Sequence, residues 1–203
     1  MPLPTFKYEQ QLWSQGLKFV CGVDEVGRGC FAGPVVTAAV IFSPDVKLPD
    51  GINDSKLLSA KKRLELDKQI KELALAWVID TVEVPVINQL GIGKATQQSF
   101  NNCIAKLSVQ ADFILIDAFL IAGIDKDKQQ AIVHGDQLSL SIAAASIIAK
   151  VYRDQLMEQL DAKYPGYDFK QHKGYGTLKH RQAIKELGFC DLHRTSFDLT
   201  KFS

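Results

Sequence analysis

The chain has 203 residues, with 24 Lys and Arg against 23 Asp and Glu and a formal net charge of +1. That balance argues against a protein that coats nucleic acid by bulk charge, but it leaves room for a local basic groove. A content of 46% hydrophobic and 23% charged residues suits one well-buried globular domain at this length. No apolar stretch reaches the roughly 20 residues needed to span a bilayer, and the opening MPLPTFKYEQ lacks the layout of a signal peptide. Cys21, Cys30, Cys103 and Cys190 are far apart with no CxxC pair, so neither a zinc ribbon nor a disulfide framework is suggested. Reduced thiols and a cytoplasmic location are the expectation.

Residues 1–18 space Phe6, Tyr8, Leu12, Trp13 and Leu17 as a short amphipathic helix would. Strands are expected at about 19–26 and 35–42, joined by a loop rich in glycine. The first strand carries Asp24 and Glu25 side by side in an otherwise apolar run. Successive strand residues face opposite sides, so the two acids cannot both reach water by alternation. An unpaired buried charge is costly, and a cation with oxygen ligands, Mg²⁺ or Mn²⁺, would offset that cost. Solvated acids at a strand end, or acids capped by Arg28, are the plainer reading of this segment.

Farther along, Ser59 is placed to cap a helix over about 60–74, with Leu64, Ile70, Leu73 and Ala74 on its buried side. A strand follows at 76–84, then a helical stretch from Pro85 to about Leu107, interrupted near Gly91 and Gly93. The run Phe113 to Ile116 reads as a strand buried on both faces that ends on Asp117. A short strand at 131–133 leads into His134-Gly135-Asp136. The longest helical pattern runs from Leu140 to about Lys163, and it sets Ser139, Ser146, Lys150, Arg153 and Asp154 on one stripe. Pro165, Gly166, Gly174 and Gly176 mark a loop, and a short helix is expected at about 177–187. Alternating strands and helices predict a layered α/β domain with an antiparallel hairpin at its start.

Asp24 with Glu25, Asp117 and Asp136 all lie at or just after apolar strands. Sites of open α/β sheets gather at strand ends, so acids distant in sequence can converge there. Their mutual repulsion would call for divalent cations, and a pair of metal ions suits a phosphoryl displacement by water. Asp136 as the N-cap of the following helix is the competing structural use.

The ordered pieces GVDEVGRG, AGPVV, NDSK, ID at 116–117, GD at 135–136, SIAAASIIAKVYRD, HKGYGT and HRTSF make the chain resemble bacterial ribonuclease HII along nearly its whole length. The resemblance implies an RNase H-like α/β fold, a mixed central β-sheet flanked by helices, in a single catalytic domain. It implies an endoribonuclease that cuts RNA in RNA–DNA hybrids and cuts 5′ of ribonucleotides embedded in duplex DNA. Two divalent ions, Mn²⁺ or Mg²⁺, would be held by Asp24, Glu25, Asp117 and Asp136, and the products would be a 3′-hydroxyl and a 5′-phosphate. Gly27, Arg28 and Gly29 would approach the ribonucleotide and its 2′-hydroxyl, and Tyr175 would stack on the deoxyribose that follows. Asn53, Ser55, Lys56, Ser146 and Lys150 would position phosphates.

The loop residues Lys170, His172, Lys173, Lys179 and Arg181 are read as a basic patch facing phosphate, and a zinc site at His172 and His180 is not expected. Cys30, Phe31, Ala118-Phe119 and His134 depart from the usual family pattern; His134 stands where lysine is common. A helical C-terminal extension and a sliding-clamp-binding box are not expected. Ribonuclease HIII is the sibling reading, disfavoured because residues 1–18 are too short for its N-terminal domain. An inactive nucleic-acid-binding module of the same fold is disfavoured by the presence of all four acids. A monomer without membrane association is the expected state.

Overall fold

The computed structural model describes residues 3–199. Its centre is a five-stranded mixed sheet in the order β3-β2-β1-β4-β5. Strands β1 (Val20–Val26) and β2 (Val35–Ile41) form the expected antiparallel hairpin, and β3 (Ala76–Val82) pairs antiparallel with β2. Strands β4 (Phe113–Asp117) and β5 (Gln129–Ile132) continue the sheet in parallel with β1. The last strand starts two residues and ends one residue earlier than the expected 131–133.

Helices cover both faces. Helix α1 (Lys7–Trp13) packs Leu12 against Val20, Leu115 and Ile132. Helix α2 (Ala60–Leu73) and helix α4 (Leu140–Lys163) share one face, where Leu66, Ile70, Ala144 and Ile148 meet Val36, Ala38 and Val40. Helix α3 (Val84–Lys106) covers the other, with Phe100 and Cys103 against Cys21, Val23, Ala39 and Ile41. The two sets of strand residues alternate, as the pleat requires. The one-turn helix α5 (Phe169–His172) and helix α6 (Leu178–Leu187) complete the chain order. No described helix is long and apolar enough to cross a membrane.

Local chemistry explains the helix boundaries. The hydroxyls of Ser59, Ser139 and Thr177 accept the first free amides of α2, α4 and α6, from Lys62, Ile142 and His180. Ser139 thus holds the capping position before α4, and Asp136 is left free for another role. Gly91 breaks α3 with φ 74°, ψ 157°, where the sequence marks an interruption. One expectation for α2 needs correction: Leu64 and Leu73 are exposed, while Leu66 and Ile70 are fully buried. The helix is rotated toward α4, and the two buried positions lie one turn apart on the same side.

Close approach of α4 to the sheet positions the site. A Cβ on Gly22 would come within 2.2 Å of the Ser141 backbone, so only glycine admits the helix at this distance. Ala143, Ala144 and Ala145 keep the interface thin, and this brings Ser146 beside β1.

Candidate active site

The parallel register pairs Val23 with Ile116, which makes Asp24 and Asp117 the next neighbours at the carboxyl ends of β1 and β4. Asp136 arrives from a 3₁₀ turn (Gly135–Gln137) anchored to the same place by a hydrogen bond from Gly135 N to Asp117 Oδ1, 2.7 Å long. Asp24 and Asp136 are buried, Asp117 is half-buried and the Glu25 side chain is only 11% exposed. Burial, with the charges of Glu25, Asp117 and Asp136, drives the Asp24 pKa well above the usual carboxylate range, and the Ser146 hydroxyl opposes that rise. Burial also lifts Glu25 to about 7, against the opposing charge of Arg28. Asp117 is raised as well, by burial first, while the bond from Gly135 works the other way and Asp136 adds repulsion.

Cationic side chains take up part of this charge. Lys56 Nζ lies 3.2 Å from Asp136 Oδ2, and Arg28 Nη1 lies 3.3 Å from Glu25 Oε1. Among the described residues no three His, Cys, Asp or Glu side chains are drawn into a metal-coordinating arrangement. The donor set nevertheless fits a divalent cation. The four acids offer hard carboxylate oxygens, and Glu25 Oε2 is buried without a hydrogen-bond partner among the described residues.

The loop after β2 delivers Lys56. Asp54 accepts the Lys56 amide at 2.9 Å and the Gln137 side chain at 3.2 Å, which ties this loop to the Asp136 turn. Asn53 is half-buried, and its Oδ1 accepts the Asp54 amide. Ser55 and Ser146 are buried with their hydroxyls 3.0 Å apart, so they back Asp24 and do not open onto solvent. Lys150 bonds Asp154 and stands 5.9 Å from the Tyr175 ring, which is 39% exposed.

Two buried arginines shape the loops that flank the acids. Arg194 donates to the carbonyls of Gly27, Arg28 and Gly33, and thereby holds the Gly27-Arg28-Gly29 turn. Arg153 donates to Ala32, Pro34 and Lys173 and joins that turn to the Tyr175 loop. Gly27 adopts φ +93°, while a Cβ on Gly29 would meet nothing within 4 Å, so that backbone stays open to a ligand. A Cβ on Gly174 would lie 2.2 Å from the Ala32 carbonyl oxygen, so the two loops touch backbone to backbone.

The structure therefore brings Asp24, Glu25, Asp117, Asp136, Lys56 and Arg28 together, with Ser55 and Ser146 behind them. Along the α4 stripe Ser139 and Arg153 are fully buried, while Lys150 bonds Asp154. One expectation is corrected: the basic patch loses members, because His172 is buried and Lys173 pairs with Glu158 at 2.7 Å. Arg194, in HRTSF, carries no assigned role in the sequence reading. A lone arginine in a motif does not reveal that its partners are carbonyls some 160 positions away in the chain, as the Gly27, Arg28 and Gly33 bonds are.

A mixed sheet with acids gathered at the ends of its central strands defines the RNase H-like α/β class. The family profile of ribonuclease HII matches residues 21–200. A ribonuclease HII from Syntrophomonas wolfei is 46% identical over 195 residues, covering 96% of this chain and 76% of that protein. Among solved structures, the ribonuclease H2 of Pyrococcus horikoshii OT3 superposes with a TM-score of 0.74 at 23% identity, over 90% of this chain and 95% of that one. Bst-RNase HIII in complex with Mn²⁺ gives a TM-score of 0.65 at 22% identity, over 91% and 68%. The chain belongs to the ribonuclease HII family. It is a ribonuclease H enzyme that hydrolyses RNA in RNA–DNA hybrids.

Proposed function

We propose that this enzyme also cuts on the 5′ side of single ribonucleotides embedded in duplex DNA, using two divalent cations, Mn²⁺ or Mg²⁺. The observation that carries this reading is the convergence of four carboxylates of which at least three are raised in pKa by burial and mutual repulsion. The Mn²⁺ complex of the HIII relative is consistent with it. Asp24, Glu25, Asp117 and Asp136 would hold the ions, which supply charge neutralisation and an activated water when bound. Lys56, Lys150 and Asn53 would position phosphates, and Ser55 with Ser146 would orient Asp24 from behind. The open backbone of Gly27-Arg28-Gly29 would meet the 2′-hydroxyl, the group that separates RNA from DNA. Tyr175, half-exposed at the rim, would stack on the deoxyribose that follows. The reading further places one catalytic domain, acting as a monomer, in the cytoplasm.

The test is duplex DNA carrying one ribonucleotide, incubated with Mg²⁺, Mn²⁺ or EDTA, with both ends of the cut mapped. A cut 5′ of the ribonucleotide leaving a 3′-hydroxyl and a 5′-phosphate is expected, and none in EDTA. Asp136→Asn should lower turnover by about 10² or more while leaving the fold intact, since it removes charge from the cluster. Near-full activity in that variant rules Asp136 out as a ligand.

A further inference from the structure

Three histidines meet beneath the Tyr175 loop, and their hydrogen bonds fix one set of tautomers. Cys190 N donates to His193 Nδ1 at 2.9 Å, so that nitrogen carries a lone pair and His193 Nε2 carries the proton. His193 Nε2 lies 3.2 Å from His180 Nε2 and donates to it. The His180 proton is then on Nδ1, which donates to the Tyr175 carbonyl at 2.9 Å. His172 stacks on His180 with centroids 4.3 Å apart; its Nδ1 accepts from Gly174 and its Nε2 donates to the Tyr167 carbonyl at 2.7 Å. Every ring nitrogen is thus used, and this pattern leaves one proton on each of His180 and His193.

We infer that His193 and His180 form a neutral relay that positions Tyr175, and through it the preference for an embedded ribonucleotide over a continuous hybrid. The inference rests on the reading of Tyr175 as the residue that stacks on the sugar after the ribonucleotide. The relay starts at the segment that also holds the Gly27-Arg28-Gly29 turn, because Arg194 follows His193 directly. One short stretch, 190–194, therefore grips both loops that would flank the scissile bond: Arg194 takes the carbonyls of the first, and His193 reaches the carbonyl of Tyr175 through His180. The neutral state suits the surroundings. Phe31 and Phe169 face His180, and Tyr167, Phe169 and Phe189 face His193. Cys190 Sγ is 3.3 Å from His193 Nδ1. The ring nitrogens of the three histidines bond to backbone groups, to Cys190 and to one another, and burial lowers the pKa of both His180 and His193. His180 and His193 act here as positioning residues, since neither reaches the acids.

Two measurements test the relay. Imidazole ¹⁵N spectra of the intact protein at neutral pH should show the proton on Nδ1 of His180 and on Nε2 of His193; any other pair of tautomers overturns the relay, whatever Tyr175 does. In kinetics, His180→Phe keeps a ring in the stack but removes the donor, and His180→Asn restores a donor near the Nδ1 position. The Phe variant should lose about tenfold in kcat/KM on a single embedded ribonucleotide, with a smaller loss on a long hybrid, and the Asn variant should recover most of it. Equal losses on both substrates, or no loss, overturn the relay if Tyr175→Ala in the same assay is selective for the embedded ribonucleotide. If Tyr175→Ala is itself unselective while the tautomers are as expected, the sugar-stacking reading of Tyr175 has failed, and the preference assigned to the relay falls with it.

Discussion

Lys56 Nζ sits 3.2 Å from Asp136 Oδ2 and 3.8 Å from Asp54 Oδ1, so a cation from the loop after β2 occupies an acid that arrives just before α4. Burial works against the ammonium charge, yet Asp136 and Asp54 together hold its pKa above the ordinary lysine value. In the proposed reaction the same lysine has two partners, a carboxylate without metal and a phosphate with substrate. Lys56→Ala should therefore separate the two. Because the Lys56 side chain is 72% exposed, the ion pair is worth little, on the order of 0.2–1 kcal/mol. Its removal should tighten apparent Mn²⁺ binding by about two- to fivefold, measured by calorimetry, and raise KM for the nucleic acid. Weaker metal binding together with an unchanged KM would show that Lys56 supports the acids and does not reach phosphate.

The raised carboxylates give the metal-free protein a pH dependence of defined sign. Burial lifts Glu25 from 4.5 to about 7. Between those values the native state holds a proton that the unfolded state has released, so the slope of stability with pH is negative. Without metal, the Glu25 contribution is most favourable below its unfolded pKa and is lost as pH rises through about 7. Asp24 and Asp117 act in the same direction. A divalent cation would favour the charged forms and remove or reverse the loss. Thermal melts from about pH 5 to pH 8, in EDTA and in Mn²⁺, check this. A falling Tm in EDTA that flattens or rises in Mn²⁺ is expected; coincident curves would mean that the cluster does not hold the ion.

Arg194 links distant parts of the chain through three backbone carbonyls. It is fully buried, and burial lowers its pKa to about 10, which leaves it charged at neutral pH. Its planar fork serves three carbonyls at once, and the single ammonium of lysine does not match that geometry. Arg194→Lys should cost roughly 2–4 kcal/mol of stability, read by denaturant unfolding. Activity should fall further than stability alone accounts for, because the Gly27-Arg28-Gly29 turn loses its anchor. A stable variant of normal activity would show that the turn holds itself.

What could be read from the sequence follows the range of the interactions. The opening hairpin, the Ser59 cap and the Gly91 break each depend on residues a few positions apart, and the structure has all three. Asp24, Glu25 and Asp117 stand out because charged residues in apolar strands violate the expected pattern, whereas Asp136 lies in a turn and is picked out by the resemblance. Leu64 and Leu73 misled because a leucine on a helix signals burial without saying which side faces the core. Arg153 and Arg194 look like surface residues in composition, and only long-range carbonyl contacts reveal them as buried connectors. The neutral histidine relay was out of reach for the same reason, since His180 and His193 meet across a loop and a helix.

His134 poses the last question, because lysine is the residue the resemblance leads one to expect there. Strand alternation does not apply to it: β5 ends at Ile132, and His134 adopts φ 57°, ψ 41° at the turn that presents Asp136. Non-glycine residues reach this left-handed region uncommonly, with histidine among the better tolerated. The ring is exposed beside Asp117. The position thus sets the backbone of the turn, a role that does not need an imidazole. His134→Lys should keep activity within about twofold at pH 8 and raise it slightly where attraction for phosphate limits the rate. His134→Gly should relieve the backbone strain, leaving stability unchanged or higher by up to about 1 kcal/mol, while reducing affinity for the nucleic acid at low salt. Steady-state kinetics across pH and salt separate the two variants. Loss of turnover in His134→Lys with folding preserved would assign the imidazole a chemical role that the turn does not account for.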